Sequence, residues 1–230
     1  MAVTNEKLEE INRLWDSYFF SGTNTLRNKL GIYDYDELKQ KEAEITFEKL
    51  VELYINPIQG NFDVEHWKNI HKYLFEDIYD WAGEYRYVNM QKETGFTDVH
   101  SIDYYLNGEL KLMNAEINNI YSVQSLAAFL AEYYAHLMAI HPFREGNGRS
   151  CREFLREFIS EKTKNLPTGP YELDWTRFDG DVVLENIKFS MVFRSQIENE
   201  FYKALVPVEP EEKNEIKMWS NRLHIFFILI

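Results

Sequence analysis

Residues 122–140, SVQSLAAFLAEYYAHLMAI, carry apolar side chains on almost every helical face, with Leu126, Phe129, Leu130, Tyr133 and Leu137 along one side and alanines flanking them. A helix of this kind has no face to give to water, so it must run through the middle of a bundle. Ser122 supplies a cap at its start. At its end Pro142 disfavours helical geometry for His141, and Gly146 and Gly148 permit a tight loop. A second apolar pattern follows at once in Cys151, Phe154, Leu155, Phe158 and Ile159. Residues 122–160 therefore read as helix, loop, helix, and the remaining chain has to pack around them.

That remainder is also patterned as helices. Leu8, Ile11, Leu14, Trp15 and Tyr18 mark one face over residues 5–20, before a loop, SGTNTLRNKLGI. Apolar positions from Leu38 to Leu53 predict a second helix over 36–54, ended by the Asn56-Pro57 and Gln59-Gly60 breakers. Asp63 caps a third, striped by Trp67, Ile70, His71, Leu74, Ile78 and Trp81, with Gly83 placed to end it. Between Gly83 and His100 the alternation of Tyr85, Tyr87, Val88 and Met90, then Phe96 and Val99, suits a short hairpin with Gly95 in its turn. We call this segment the flap. Helices are expected again over 101–120 and 182–205, with a break at 166–170 and a polar connection over 175–181. The reading is an all-α bundle around one helix-loop-helix, with a small β-hairpin flap.

Composition narrows the function classes. A net charge of -13 argues against a protein that coats nucleic acid, because nonspecific affinity comes from cations that neutralise phosphates. The single cysteine, Cys151, offers no intramolecular disulfide and no cysteine-rich metal site, which points to the cytoplasm. Residues 1–15 lack the pattern of a secretory signal, and no uncharged apolar run approaches ~18 residues, so neither export nor a membrane span is expected. The apolar stretch 223–230, LHIFFILI, is too short to cross a bilayer and needs a cover.

Chemistry concentrates in residues 141–152, HPFREGNGRSCR. Gly146, Asn147 and Gly148 can turn consecutive backbone N–H groups inward, and the following helix adds its unpaired N–H groups and positive dipole end, which together make an anion site. Arg149 and Arg152, three residues apart, face the same anion from one side of that helix, as a polyphosphate requires. Glu145 is an acid within a cationic cradle, which makes sense as a ligand for Mg2+ shared with substrate phosphates. His141 stands at the mouth of the loop as a general base for a hydroxyl, since an imidazole titrates within reach of cellular pH. Phe143 is an apolar anchor. Arg156, with Glu153 and Glu157 beside it, reads as a solvated ion pair, and the other histidines as packing or surface residues; their five-residue spacings do not suit zinc.

These twelve residues meet every fixed position of the pattern HxFx[D/E]GN[G/K]RxxR, and the chain resembles the Fic family over about residues 20–205. The resemblance implies a catalytic domain over 36–206, preceded by a helix and loop over 1–35 and followed by an acidic linker and apolar tail over 207–230. It implies transfer of AMP from ATP to a Ser, Thr or Tyr hydroxyl of a target protein, with release of pyrophosphate. His141 would deprotonate the hydroxyl, Glu145 would coordinate Mg2+ on the α- and β-phosphates, and Gly146, Asn147 and Gly148 would cradle phosphate oxygens. Arg149 would contact the β-phosphate and Arg152 the γ-phosphate. A flap bearing Lys92, Phe96 and Val99 would register the target by strand addition.

Family members are commonly restrained by a helix carrying [S/T]xxxE[G/N]. The sequence holds no full match to it, so inhibition is expected from a separate small antitoxin, as in toxin-antitoxin members with a loop like residues 22–32. Rival readings are a kinase of the Doc type, transfer of UMP or phosphocholine on the same scaffold, and a catalytically silent partner-binding module.

Overall fold

The computed structural model describes residues 5–90, 95–187 and 190–208. Among them the chain forms eight α-helices and one two-stranded antiparallel sheet. The helices are α1 (Asn5–Asp16), α2 (Tyr35–Ile55), α3 (Val64–Phe75), α4 (Ile102–Glu116), α5 (Val123–Ile140), α6 (Asn147–Lys162), α7 (Gly180–Ile187) and α8 (Ser190–Ala204). Strand β1 (Tyr171–Leu173) pairs with β2 (Leu205–Pro207).

The helix that the sequence makes central is central. Helix α5 packs against α4, α6 and α8, and Leu126, Leu130 and Leu137 are fully buried within it. Its start is fixed by a capping box in which Ser122 and Ser125 satisfy each other's backbone N–H groups. Helix α6 lies on α3 and carries β1 on another side.

Three boundaries differ from the sequence reading. Helix α1 stops at Asp16 because the chain then doubles back: Phe20 N donates to Thr25 O at 3.0 Å and Arg27 N to Tyr18 O at 2.8 Å, around Gly22 at φ 74°. Helix α3 stops at Phe75, well before Gly83; tighter turns carry Ile78 and Tyr79 into the core, and the Ile78 carbonyl takes the Lys29 N–H at 2.8 Å. The helix expected over 182–205 is two, α7 and α8, which pack against each other and so cannot form one rod. In the flap, Phe96 N donates to Met90 O at 3.2 Å and joins the two stems; the two-stranded sheet lies elsewhere, between β1 and β2. The tail at 223–230 lies outside the described residues.

The Arg156 pair is not solvated. Arg156 and Glu153 are both buried, joined by two hydrogen bonds of 2.6 and 2.9 Å, with Arg156 Nη2 also on Leu53 O at 3.2 Å and its guanidinium 5.1 Å above the Tyr54 ring. Three-residue spacing on α6 faces the pair toward α2, an orientation the sequence alone does not give. Burial raises the Glu153 carboxyl, while Arg156 beside it keeps the charged form in play. Because an orphaned buried charge costs more than a missing pair, Glu153→Met should destabilise by roughly 3–5 kcal/mol, and adding Arg156→Met should recover part of that loss. Urea unfolding of the two variants checks the order.

Candidate active site

The loop between α5 and α6 is built by residues that point away from it. Phe143 is fully buried, stacked on the His71 ring at 3.8 Å and edge-on to Trp67 at 5.7 Å. Asn147 closes the turn: its Oδ1 accepts from Phe143 N and its Nδ2 donates to Phe143 O, both at 2.9 Å. The buried Asn147 side chain is thus committed to the loop, and only its main chain at the start of α6 remains to meet an anion. Gly146 caps α6 at φ 78°, and a Cβ there would stand 2.2 Å from the Phe75 ring, so both conformation and space demand glycine. A Cβ on Gly148 would meet nothing nearer than Arg152 Nη1 at 3.5 Å.

His71, read from the sequence as packing, grips this loop. Its Nδ1 accepts from Gly83 N at 2.9 Å, so the ring proton sits on Nε2 and donates to the Glu145 carbonyl, also at 2.9 Å. Desolvation, with Arg149 nearby, lowers its pKa to about 3 and keeps the ring neutral.

His141 caps α5 in the left-handed region, φ 51°, with its N–H on Leu137 O at 3.1 Å. Its ring Nδ1 lies 3.3 Å from the Met138 carbonyl, which can only accept. That contact favours a proton on Nδ1, and in the neutral ring this tautomer carries its lone pair on Nε2, as a general base needs. Phe96 lies flat against the ring at 3.9 Å and 8°.

Arg149 is held on all sides. Its guanidinium lies 4.9 Å above the Phe75 ring, Nη1 donates to Thr46 Oγ1 at 3.3 Å, Nη2 pairs with Glu42, and Glu145 is 3.7 Å away. Glu42 also accepts from the Tyr79 hydroxyl. Burial pushes the Tyr134 hydroxyl pKa up, and the neighbouring Arg152 counters it. Both arginines, with Glu145, Gly146 and Gly148, line a cavity of about 660 Å³ whose far wall is α2, including Leu38, Ala43 and Phe47.

Glu145 has a half-exposed side chain on this cavity, with Oε1 accepting from Gly146 N at 3.0 Å. Among the described residues no three His, Cys, Asp or Glu side chains gather to hold a metal. A lone carboxylate beside a phosphate cradle nonetheless fits Mg2+, which takes one or two carboxylates and completes its shell with phosphates and water.

Of the flap positions, Lys92 lies outside the described residues. Val99 is seated at the flap base, its N–H on Asn89 Oδ1 at 2.9 Å, so that main-chain donor is already used. Sequence reasoning missed Glu42, Thr46, Tyr79 and His71. Glu42 and Thr46 sit one turn apart with Leu38 on the buried face of α2, and only that stripe of i, i+4 spacing hinted at them. Arg144 was also passed over: its guanidinium is boxed by Trp15, Tyr18 and Phe19 at 4.9–5.2 Å, tying the N-terminal segment to the loop.

A profile described as the Fic/DOC family matches residues 61–159. The chain is 31% identical over 174 residues to a probable protein adenylyltransferase, y4lH, of Sinorhizobium fredii, covering 73% of this chain and 84% of that protein. The chain belongs to the Fic/DOC family. It is also 34% identical over 172 residues to the protein adenylyltransferase VbhT of Bartonella schoenbuchensis, covering 71% of this chain and spanning 33% of VbhT's length. The N-terminal Fic domain of a Bartonella quintana effector, solved with bound ADP, superposes at TM-score 0.72 with 25% identity, covering 84% of this chain and 95% of that one. The mostly helical architecture is that of a Fic domain.

Two outcomes follow for this Fic loop. Gly146→Ala should abolish nucleotide binding and lower stability, whereas Gly148→Ala should still fold; calorimetric titration and thermal melts compare them. Native His71 stays neutral while the unfolded chain takes up a proton below about 6.5, so its contribution is complete above that pH and is lost as pH falls toward about 3. Between pH 6 and 5, wild-type stability should fall more steeply than that of His71→Gln, by roughly 1 kcal/mol per pH unit at most, in urea titrations at each pH.

Proposed function

We propose that this chain is a protein adenylyltransferase that moves AMP from ATP to a Ser, Thr or Tyr hydroxyl of a target protein. The observation that carries the reading is the pairing of a His141 ring whose Nδ1 faces the Met138 carbonyl with a glycine-capped helix start and two arginines, at the two ends of one closed loop. His141 Nε2 takes the proton of the hydroxyl, the hydroxyl oxygen bonds to the α-phosphorus, and the bond from that phosphorus to the bridging oxygen breaks, releasing pyrophosphate. The main chain of Gly146, Asn147 and Gly148 holds phosphate oxygens, Arg149 the β-phosphate and Arg152 the γ-phosphate. Glu145 would hold Mg2+, which supplies neutralisation of phosphate charge when bound. The flap registers the backbone of the target around Lys92, while Phe96 and Val99, whose main-chain N–H groups are already used, contribute their side chains and carbonyls.

A separate small antitoxin fits the same surface. The support is the cavity that joins both arginines to α2, together with the lack of an [S/T]xxxE[G/N] segment in the sequence. Its carboxylate would take the place of the γ-phosphate on Arg152. The buried free Cys151, whose thiol pKa burial pushes up, fits a reducing, cytoplasmic setting.

With ATP labelled at the α-phosphate, wild type should label proteins of a cell lysate, and His141→Ala should lower that labelling by roughly a hundredfold or more while binding a non-hydrolysable ATP analogue as before. Label arriving from the γ-phosphate would assign kinase chemistry instead.

A further inference from the structure

The flap and the loop bearing His141 are joined by one buried cation. Arg86, 2% exposed, stands on the first flap stem. Its Nε donates to the His141 carbonyl at 2.8 Å and its Nη2 reaches the Ile140 carbonyl at 3.4 Å. The same guanidinium donates through Nη1 to Val88 O at 2.9 Å and through Nη2 to Thr97 O, one carbonyl on each flap stem. Its own backbone N–H donates to Pro142 O at 2.8 Å. Three consecutive carbonyls at the end of α5 and both roots of the flap thus converge on one residue.

Charge and geometry both matter here. The last carbonyls of α5 are the negative end of a helix dipole, and a guanidinium is the side chain that can donate in several fixed directions at once. His141 sits in a left-handed conformation that its neighbours must hold. Thr97 N also donates to Ala139 O at 3.2 Å, so the second stem is stitched to the last turn of α5 beside the guanidinium. Phe96, next along that stem, covers the His141 ring.

We infer that Arg86 is a positioning residue that makes the flap and His141 a single unit, so that a target strand seated on the flap meets a base already set in place. The inference rests on the adenylyl-transfer reading for its kinetic consequence and on hydrogen-bond geometry for its structural one. Arg86 touches neither nucleotide nor hydroxyl. Lysine keeps the charge but cannot span carbonyls on three segments.

The test has two arms. In the first, Arg86→Lys is compared with wild type for transfer of α-phosphate label from ATP to lysate proteins and for binding of a non-hydrolysable ATP analogue. Transfer at saturating ATP should fall at least tenfold, with analogue affinity within threefold. Transfer kept within twofold overturns the inference, and so does loss of analogue binding in step with transfer, which would mark a general collapse. In the second arm, amide hydrogen exchange on wild type reads Arg86, Thr97 and His141, which should share one opening free energy; exchange rates corrected for sequence that differ more than tenfold among them overturn the coupling. This arm needs no variant to fold and no activity. If wild type transfers no α-label, the adenylyl reading fails while exchange still judges Arg86.

Discussion

The site exists because one side-chain amide closes a loop. Asn147 bonds both backbone groups of Phe143, and Phe143 is pinned in the core between His71 and Trp67. With that turn shut, His141 must lie at one end and the N–H groups at the start of α6 at the other. Trp67 reinforces the far end by donating to Ser150 Oγ at 3.1 Å, and Ser150 in turn bonds the Gly146 carbonyl at 3.0 Å. Loop geometry is therefore inherited from the packing of α3, which contributes nothing to the cavity lining, against α6, whose first turns carry Arg149 and Arg152.

Around this loop the protein spends buried polar groups rather than apolar ones. Glu42, Thr46 and Tyr79 surround Arg149; His71 and Arg86 hold main-chain carbonyls of the loop and of α5. Each satisfies a partner that burial would otherwise leave at a cost of about 1–3 kcal/mol. Polar groups at such sites fix position more sharply than hydrocarbon contacts, because a hydrogen bond weakens steeply with angle. Arg149, at the cationic end of the site, is accordingly held by Glu42, Thr46 and Phe75.

Much of the architecture was legible in the sequence, since α5 is apolar all round and the stripes of α2, α3 and α6 repeat every three or four residues. The loop residues were legible too, because glycine, proline and paired arginines each carry a local physical meaning. What could not be read was long-range. Nothing in the sequence places Glu42 against Arg149, 107 residues away, or His71 against Glu145, 74 residues away. A buried glutamate on α2 and an exposed one share the same helical propensity, and only the fold tells them apart. The end of α3 was misjudged for a related reason: a stripe running through Ile78 and Trp81 is satisfied equally by helix and by tight turns that bury the same side chains.

The left-handed backbone at His141 sets which other residues that corner accepts without strain. A residue that carries a Cβ is strained at that position by on the order of 1 kcal/mol, whereas glycine adopts the same angles freely and asparagine nearly so. Glycine at position 141 would relieve that strain but would give up the ring's stack on Phe96 and its contact with the Met138 carbonyl.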